Sequence, residues 1–495
     1  MNQTVCRLLC ILLSTAGLFP CHAQSVSSAG WDQFKHPVPA WFQDAKFGIY
    51  FHWGVYTVPA YNSEWYSRTM YVPGTAPYTH HQQTYGPVSR FGYKDFIPLF
   101  TAARFNADEW ASLFVRAGAR FAGPVAEHAD GFSMWHSRVN RWNAGDMGPG
   151  RDVVGEMEKA VRKRNLKFIA TFHHQWQWGW YPASDTSADA GRPEYRDLYG
   201  PAVRDSVWMQ KEGKERPDSA FCARWLAKVM EVVTGYHPDL LYFDSRLGYI
   251  EEAYRKEMVA AQLGGAGGAS RLVLHKGADL PTGIGVRTYE KVRQNRIGAL
   301  PWLMEEPIST YSWSYTAGMQ LRTAPDILHS LIDVVSKNGV YLLNICPKSD
   351  GTIPQEQQAI LLSVGSWLQR HSEAIYDTRP WYTWGEGPRK EAEQRGETIP
   401  RNRFFDLHFT AADIRYTTKS AAIYALILGQ PAPGKNLLLT AFNKDSVPQA
   451  VRIKKIALLG SAEKIRWVYQ PAGLLVTIPA RLAGTMAAVL KIETE

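Results

Sequence analysis

The chain has 495 residues, with 55 Lys and Arg against 46 Asp and Glu and a formal net charge of +9. That length suits two domains, or one large barrel with a smaller module. The positive charge is not gathered into a polybasic block, and no zinc-finger or helicase pattern is present, so no nucleic-acid partner is expected.

Residues 1–23 stand apart. Arg7 precedes an apolar run over 8–18, and Cys21-His22-Ala23 puts small residues on either side of a bulky one. This is the pattern of a secretory signal peptide cleaved after Ala23. The run is shorter than the ~20 apolar residues of a membrane span, and no later stretch qualifies, so no integral membrane segment is expected. The expected location is exported, periplasmic or extracellular. Beyond residue 23 only Cys222 and Cys346 remain. Two cysteines are too few for a disulfide scaffold or a structural zinc site; buried thiols or a single bridge stay open.

The first predicted strand is 47–51, ended by His52-Trp53-Gly54, with Glu64-Trp65-Tyr66 a short loop later. An imidazole, an indole and a carboxylate near one strand end suggest a polar pocket with a stacking wall. Aromatics are frequent, with 18 Trp and 24 Tyr, and flat apolar faces stack well on sugar rings. Asn106-Ala107-Asp108-Glu109 predicts a helix start, with Trp110, Leu113, Phe114 and Ala117 on one face. A strand over 121–126 leads to His128-Ala129-Asp130-Gly131-Phe132, and a helix spans about 153–163. The strand 166–172 ends in His173-His174, followed by Trp176, Trp178 and Trp180. Paired histidines invite a metal, but no His-Glu-x-x-His accompanies them. Hydroxyl binding by neutral imidazoles is the favoured reading, and no metal is expected.

Residues 182–221 make a long polar connection, readable as a lid or an insertion. The run Leu240-Leu241-Tyr242-Phe243 then leads directly into Asp244. A short apolar run without alternation reads as a strand buried on both faces. In a (β/α) barrel such a strand's C-terminal end points into the active site. A strand over 271–275 is followed by Lys276; Glu290 is expected on a loop beyond it, and Glu305 and Glu306 follow Trp302. The closing strand is 339–345, with Asn344 near its end, and Pro354 opens the last barrel helix. After about residue 376 the texture changes. Short strands over 404–409, 421–428, 437–440, 451–459, 465–469, 474–478 and 487–492 argue a β-sandwich. The expected organisation is a signal peptide 1–23, an α/β catalytic domain 24–384 and a C-terminal β-sandwich 385–495.

Taken together, Phe51-His52-Trp53-Gly54, Glu64-Trp65-Tyr66, His128 to Phe132, Leu241 to Asp244 and the run Asn344 to Pro354 resemble the α-L-fucosidases of glycoside hydrolase family 29. The resemblance covers essentially all of the chain after the signal. It implies a (β/α)8-like TIM-type barrel followed by a β-sandwich. It implies a retaining exo-α-L-fucosidase that acts on a fucosylated oligosaccharide or glycoconjugate without a cofactor. Asp244 matches the family's nucleophile. His52, Glu64, Trp65, His128 and Trp135 match its fucose pocket, and His173 and His174 resemble neighbouring histidines in some members. The acid/base is expected among Glu290, Glu306 and Glu305, with Glu290 favoured.

The sequence departs from the family pattern at three places. Ala129 replaces a frequent second histidine, Ser245-Arg246 follow the nucleophile where glycine is frequent, and Trp302-Leu303 replaces a Trp-Glu pair. A related exo-glycosidase acting on an α-galactoside or modified fucoside therefore stays open, as does a catalytically silent glycan-binding barrel.

Overall fold

In the computed structural model, residues 30–203, 216–264, 267–397, 408–445, 447, 451–480 and 486–495 are described. The expected signal peptide and most of the expected strand 404–409 lie outside them.

Eight parallel strands close a barrel in sequence order. They are β1 (Phe47–Phe51), β2 (Phe121–Glu127), β3 (Lys167–Phe172), β4 (Leu240–Phe243), β5 (Leu272–Lys276), β6 (Val286–Glu290), β7 (Trp302–Pro307) and β8 (Gly339–Ile345). β1 pairs with β8 to close the ring, in register Tyr50 to Asn344. Most of these strands are apolar throughout because both faces are covered, one by the barrel interior and one by helices. β6 is the exception. Val286 and Thr288 are buried while Arg287 is exposed, so it carries no continuous apolar run. Glu290 accordingly ends a barrel strand, and the loop expected to carry it only begins after it.

Strand parity organises the interior. Tyr50, Val125, Ile169, Tyr242, Leu274, Val286, Leu303 and Leu342 form one buried cluster inside the ring. Their neighbours Ile49, Phe51, Leu241, Phe243, Val273 and Leu343 belong to the larger core under the helices. Side chains alternate between these two faces. Two residues beyond an inward residue therefore points inward again, at the barrel mouth.

The helices follow their local signals. Asn106 caps Ala107–Arg116 by accepting from the amides of Asp108 and Glu109. Asp152 caps Val153–Arg162 through the Gly155 amide, and Lys159 and Arg162 sit in its last turn. Pro354 precedes Gln355–His371. Cys222 and Cys346 are buried free thiols. Among the described residues no helix is long and apolar enough to cross a membrane.

The C-terminal strands are β9 (Arg379–Glu386), β10 (Ile414–Lys419), β11 (Ala422–Ile427), β12 (Asn436–Leu439), β13 (Ile453–Leu458), β14 (Arg466–Gln470), β15 (Gly473–Thr477) and β16 (Ala488–Thr494). They form a five-stranded sheet ordered β13-β16-β11-β10-β9 and a three-stranded sheet ordered β12-β15-β14. Ile414, Tyr416, Ile427, Phe442, Leu474, Val476 and Leu490 fill the space between them. β9 and β10 were not among the strands read from the sequence. β9 is half-buried or exposed over its first five residues, since it mixes charged and aromatic residues at the sheet edge. β10 begins with four buried residues, among them the charged Arg415.

Candidate active site

The C-terminal ends of the strands converge on a cavity of about 230 Å³. That is below the ~300–1,000 Å³ of pockets for drug-sized ligands and suits one small ring. His52, Glu64, Trp65, His128, His173, Asp244, Lys276, Glu290, Glu305 and Trp313 line it. A larger cavity of about 670 Å³ lies on the barrel flank beside Arg104, Asp108 and Gln358. Its Asp108 is already paired with Lys163 and Arg164, and no histidine lines it.

Parity accounts for most of the set. His52 follows inward Tyr50, Asp244 follows Tyr242, Lys276 follows Leu274 and Glu305 follows Leu303, each two residues on. Asp244 is fixed through its backbone. Its amide donates to the Phe172 carbonyl, and Gln175 Nε2 donates to the carbonyls of Asp244 and Ser245 at 2.8 and 3.0 Å.

Three carboxylates surround one ammonium. Lys276 Nζ lies 3.1 Å from Glu290 and 2.8 Å from Glu305, and it is in ion-pair contact with Asp244 Oδ1, off hydrogen-bond alignment. One oxygen from each of Asp244, Glu290 and Glu305 lies within 4.8 Å of the other two. Burial opposes the charge on Lys276, but Asp244 and Glu305 outweigh it and hold its pKa well above the ordinary value. Burial raises the pKa of Glu305, and Asp244 and Glu290 add to the rise while Lys276 opposes it. Glu305 is the floor of the site. Its side chain is 2% exposed, and its oxygens accept from Tyr50 Oη at 2.7 Å and from Tyr242 Oη. Glu290 is 21% exposed and stands at the rim.

The opposite wall is imidazole. The His52, His128 and His173 ring centroids lie 4.6–5.5 Å apart. Burial pushes His52 down to about 4 and the other two well below their ordinary value, so all three are neutral near pH 7. Asn344 Nδ2 donates to the Trp313 carbonyl at 2.6 Å, so its Oδ1 must accept. It accepts from His52 Nδ1 at 2.7 Å, which leaves His52 Nε2 with a lone pair. Glu64 accepts from the Trp313 amide at 3.1 Å, and burial raises its carboxyl to about 7. Trp65 packs against Trp176 and Trp180. At the rim Arg246 stacks on Trp176, 4.0 Å from the ring centroid.

Three expected site residues lie elsewhere. Glu306 is one residue out of phase with Glu305, faces away from the barrel interior, and is buried against Arg322 and Tyr341 Oη. His174 is likewise out of phase with His173. It stacks on Trp225 of the helix Ser219–Tyr236, and Trp225 also supplies the carbonyl beside its Nε2. Trp135 is buried against Phe172, and its indole donates to Glu231 at 2.9 Å. Lys276 and Trp313 were given no role from the sequence. Lys276 carried a usable signal, because it ends β5 as Asp244 follows β4. Trp313 carried none.

Among the described residues two groups have the reach to hold a metal ion: the three histidines, and the three carboxylates. Lys276 already supplies the positive charge among the carboxylates. The histidines offer neutral nitrogens suited equally to sugar hydroxyls.

Comparisons with known proteins agree with one another. A family model described as alpha-L-fucosidase matches residues 19–373, and one for the alpha-L-fucosidase C-terminal domain matches 408–493. The tissue alpha-L-fucosidase of Rattus norvegicus is 30% identical, over 97% of this chain and 94% of its own. That of Homo sapiens is 30% identical over 90% and 86%. The crystal structure of Thermotoga maritima alpha-fucosidase in complex with fucose superposes with a TM-score of 0.72 at 26% identity, covering 92% of this chain and 97% of the other. The same enzyme with a mechanism-based inhibitor gives 0.73 at 27% over the same shares.

Proposed function

The chain belongs to the α-L-fucosidase family, glycoside hydrolase family 29, and from that premise we propose a retaining exo-α-L-fucosidase with Asp244 as nucleophile and Glu290 as acid/base. One observation carries the assignment of roles: Asp244 and Glu290 present oxygens within 4.8 Å of each other at the mouth of the barrel. Retaining glycosidases hold their two carboxyl groups about 5–5.5 Å apart, whereas inverting ones need about 6.5–9.5 Å to admit a water.

Asp244 attacks the anomeric carbon and forms the covalent glycosyl-enzyme. Glu290 delivers a proton to the leaving oxygen, then takes one from the water that releases fucose. Glu305 is unsuited to that exchange, because Tyr50, Tyr242 and Lys276 already engage its oxygens. Glu306 is withdrawn behind the strand. The neutral His52, His128 and His173 take the sugar hydroxyls, and Glu64 binds another. His173 makes good the absence of a histidine at Ala129, since its ring lies beside those of His128 and His52. An indole of the wall faces the apolar methyl of fucose.

Leaving groups test the assignment. A poor leaving group needs the proton and an activated aryl one does not. Glu290→Ala should therefore slow hydrolysis of a fucosylated oligosaccharide far more than that of an activated aryl α-L-fucoside. Equal losses on both substrates would remove Glu290 from the role. A panel of aryl glycosides separates fucose from galactose.

Export to the periplasm or the medium is proposed from the apolar run over 8–18 and the Cys21-His22-Ala23 site. Amino-terminal sequencing of the mature protein should begin at Gln24; retention of residues 1–23 would refute it.

A further inference from the structure

The chain leaves Glu290, turns at Lys291 with φ 51°, and presents Arg293 three residues past the strand end. Val292 is 42% exposed, yet the Arg293 side chain is only 7% exposed. It runs back under the loop to the helix Ala324–Ser336. There Arg293 Nη2 donates to Ser330 Oγ at 2.9 Å, and Nη1 meets Asp333 Oδ2 at 3.4 Å. Asp333 is a hub. Its Oδ2 also accepts from Lys337 at 2.9 Å, and its Oδ1 accepts from Arg415 Nε at 2.7 Å. Arg415 belongs to β10, in the C-terminal sandwich. Phe409, just ahead of that strand, adds a second tie. Its ring centroid lies 5.4 Å from the Arg293 guanidinium and 5.2 Å from that of Arg415. One ionic route and one aromatic contact therefore join the sandwich to the loop that follows Glu290.

Such a seam is an expensive way to glue two domains. Asp333 and Arg415 are 1% and 0% exposed, and desolvating ions costs more than burying apolar side chains of the same volume. What an ion network supplies is direction. A guanidinium fork donates to its partners only in fixed geometry. The element whose direction matters here is the two-residue link, Lys291-Val292, between Arg293 and Glu290.

We propose that the C-terminal sandwich positions the acid/base: Arg415 and Phe409 act through Asp333 and Arg293 to hold the segment 291–293, and with it the Glu290 carboxyl, at its working distance from Asp244. The inference rests on Glu290 being the acid/base. None of these four residues lines the pocket. They are positioning residues, and they give the sandwich a part in the proton-transfer step without a sugar contact of its own.

The test uses the full chain with Arg415→Met, Arg293→Met, the double variant and Glu290→Ala. Each is assayed on an activated aryl fucoside and on a fucosylated oligosaccharide. A displacement of a reacting group by about 1 Å can cost a hundredfold, so each single variant should lose about ten- to a hundredfold in kcat/KM on the oligosaccharide. The activated substrate should change by less than about twofold, because it needs no proton. The double variant should lose no more than the worse single one, as expected for members of one chain of contacts. A merely structural role would lower both substrates together and leave their ratio at the parent value; that result overturns the proposal. Where Arg415→Met fails to fold, Phe409→Ala leaves the ion network in place and should shift the ratio in the same direction; an unshifted ratio there overturns it equally. Glu290→Ala separates the two levels. If it lacks the leaving-group signature, the acid/base assignment is wrong and the proposal falls with it. If it has the signature and the Arg variants do not, only the positioning role is wrong.

Discussion

Two of the buried charge clusters among the described residues are balanced in opposite directions. At the barrel mouth Asp244, Glu290 and Glu305 all meet Lys276, and Lys291 lies 3.9 Å from Glu290. At the seam with the sandwich Asp333 and Glu393 lie among Lys337, Arg293 and Arg415. Burial opposes charge in both. At the seam the cations outweigh it and hold the Asp333 carboxyl well below the usual carboxylate range. At the mouth burial and the neighbouring anions push Glu305 the other way. At the seam the cations outnumber the anions and hold its parts still. Immediately around Lys276 carboxylates outnumber cations, and negative charge there is what the oxocarbenium-like transition state of glycoside hydrolysis meets with greatest advantage. The same residue types serve structure in one place and chemistry in the other, and the ratio of anions to cations marks the difference.

The largest effect expected from breaking this contrast is at Asp244, the proposed nucleophile. Asp244→Ala should lower kcat/KM by a factor of about 10³ or more, since a covalent route is worth several kcal/mol in the barrier. The protein should stay folded, and azide should restore part of the rate on an activated fucoside. A folded variant with most of its activity would refute the mechanism.

The two lysines sharpen the comparison next. Lys276→Met removes the cation that all three mouth carboxylates contact, so they ionise less readily. The acid limb of the pH–rate profile should move to higher pH by about one to three units, the usual effect of one close opposite charge. Lys337→Met should leave that limb in place and lower stability by about 3–5 kcal/mol, because it breaks a buried pair. Denaturant melts and pH profiles on both variants distinguish the outcomes; an unmoved acid limb in Lys276→Met refutes the anion-excess account.

The glutamate doublet gives a smaller contrast. Glu305→Gln takes one anion from the mouth, so the acid limb should move to lower pH. Glu306→Gln should leave the limb where it is and destabilise the fold, since Arg322 is left buried against a neutral amide. Should both variants shift the limb alike, the inward and outward assignments are wrong.

Glu64 should show a smaller effect, read in the pH dependence of stability. Its carboxyl is raised to about 7, against 4.5 ordinarily. Between those values the unfolded chain has lost the proton and the folded chain has kept it. Its contribution is thus complete below about pH 4.5 and is lost as the pH rises through about 7. The loss is on the order of 3 kcal/mol. Glu64→Gln should flatten that part of the Tm-against-pH curve; an unchanged slope would show that the carboxyl titrates normally. Exhaustive chelation should have no effect on the rate, and a loss of turnover reversed by added metal would reassign the three histidines.

The sequence determined the elements and the chemistry they end in. Apolar runs such as Phe47–Phe51 and Leu240–Phe243 read as strands buried on both faces, and the polar residues that close them, His52 and Asp244, stand at the barrel mouth. Capping by Asn106 and Asp152 was equally local. What only the tertiary structure decided was facing and partnership. His173-His174 and Glu305-Glu306 are doublets, and a strand sends adjacent side chains to opposite sides. The alternation is in the sequence, but which member faces the interior depends on where the helices and neighbouring strands pack. Polar β6 escaped notice because its inward residues are separated by exposed Arg287. Tyr50 and Glu305 meet across 255 residues, and Arg415 and Asp333 across 82. Electrostatic and hydrogen-bond partners are chosen by distance in space, and the separation of residues along the chain carries no record of that distance until the barrel closes and the sandwich docks against it.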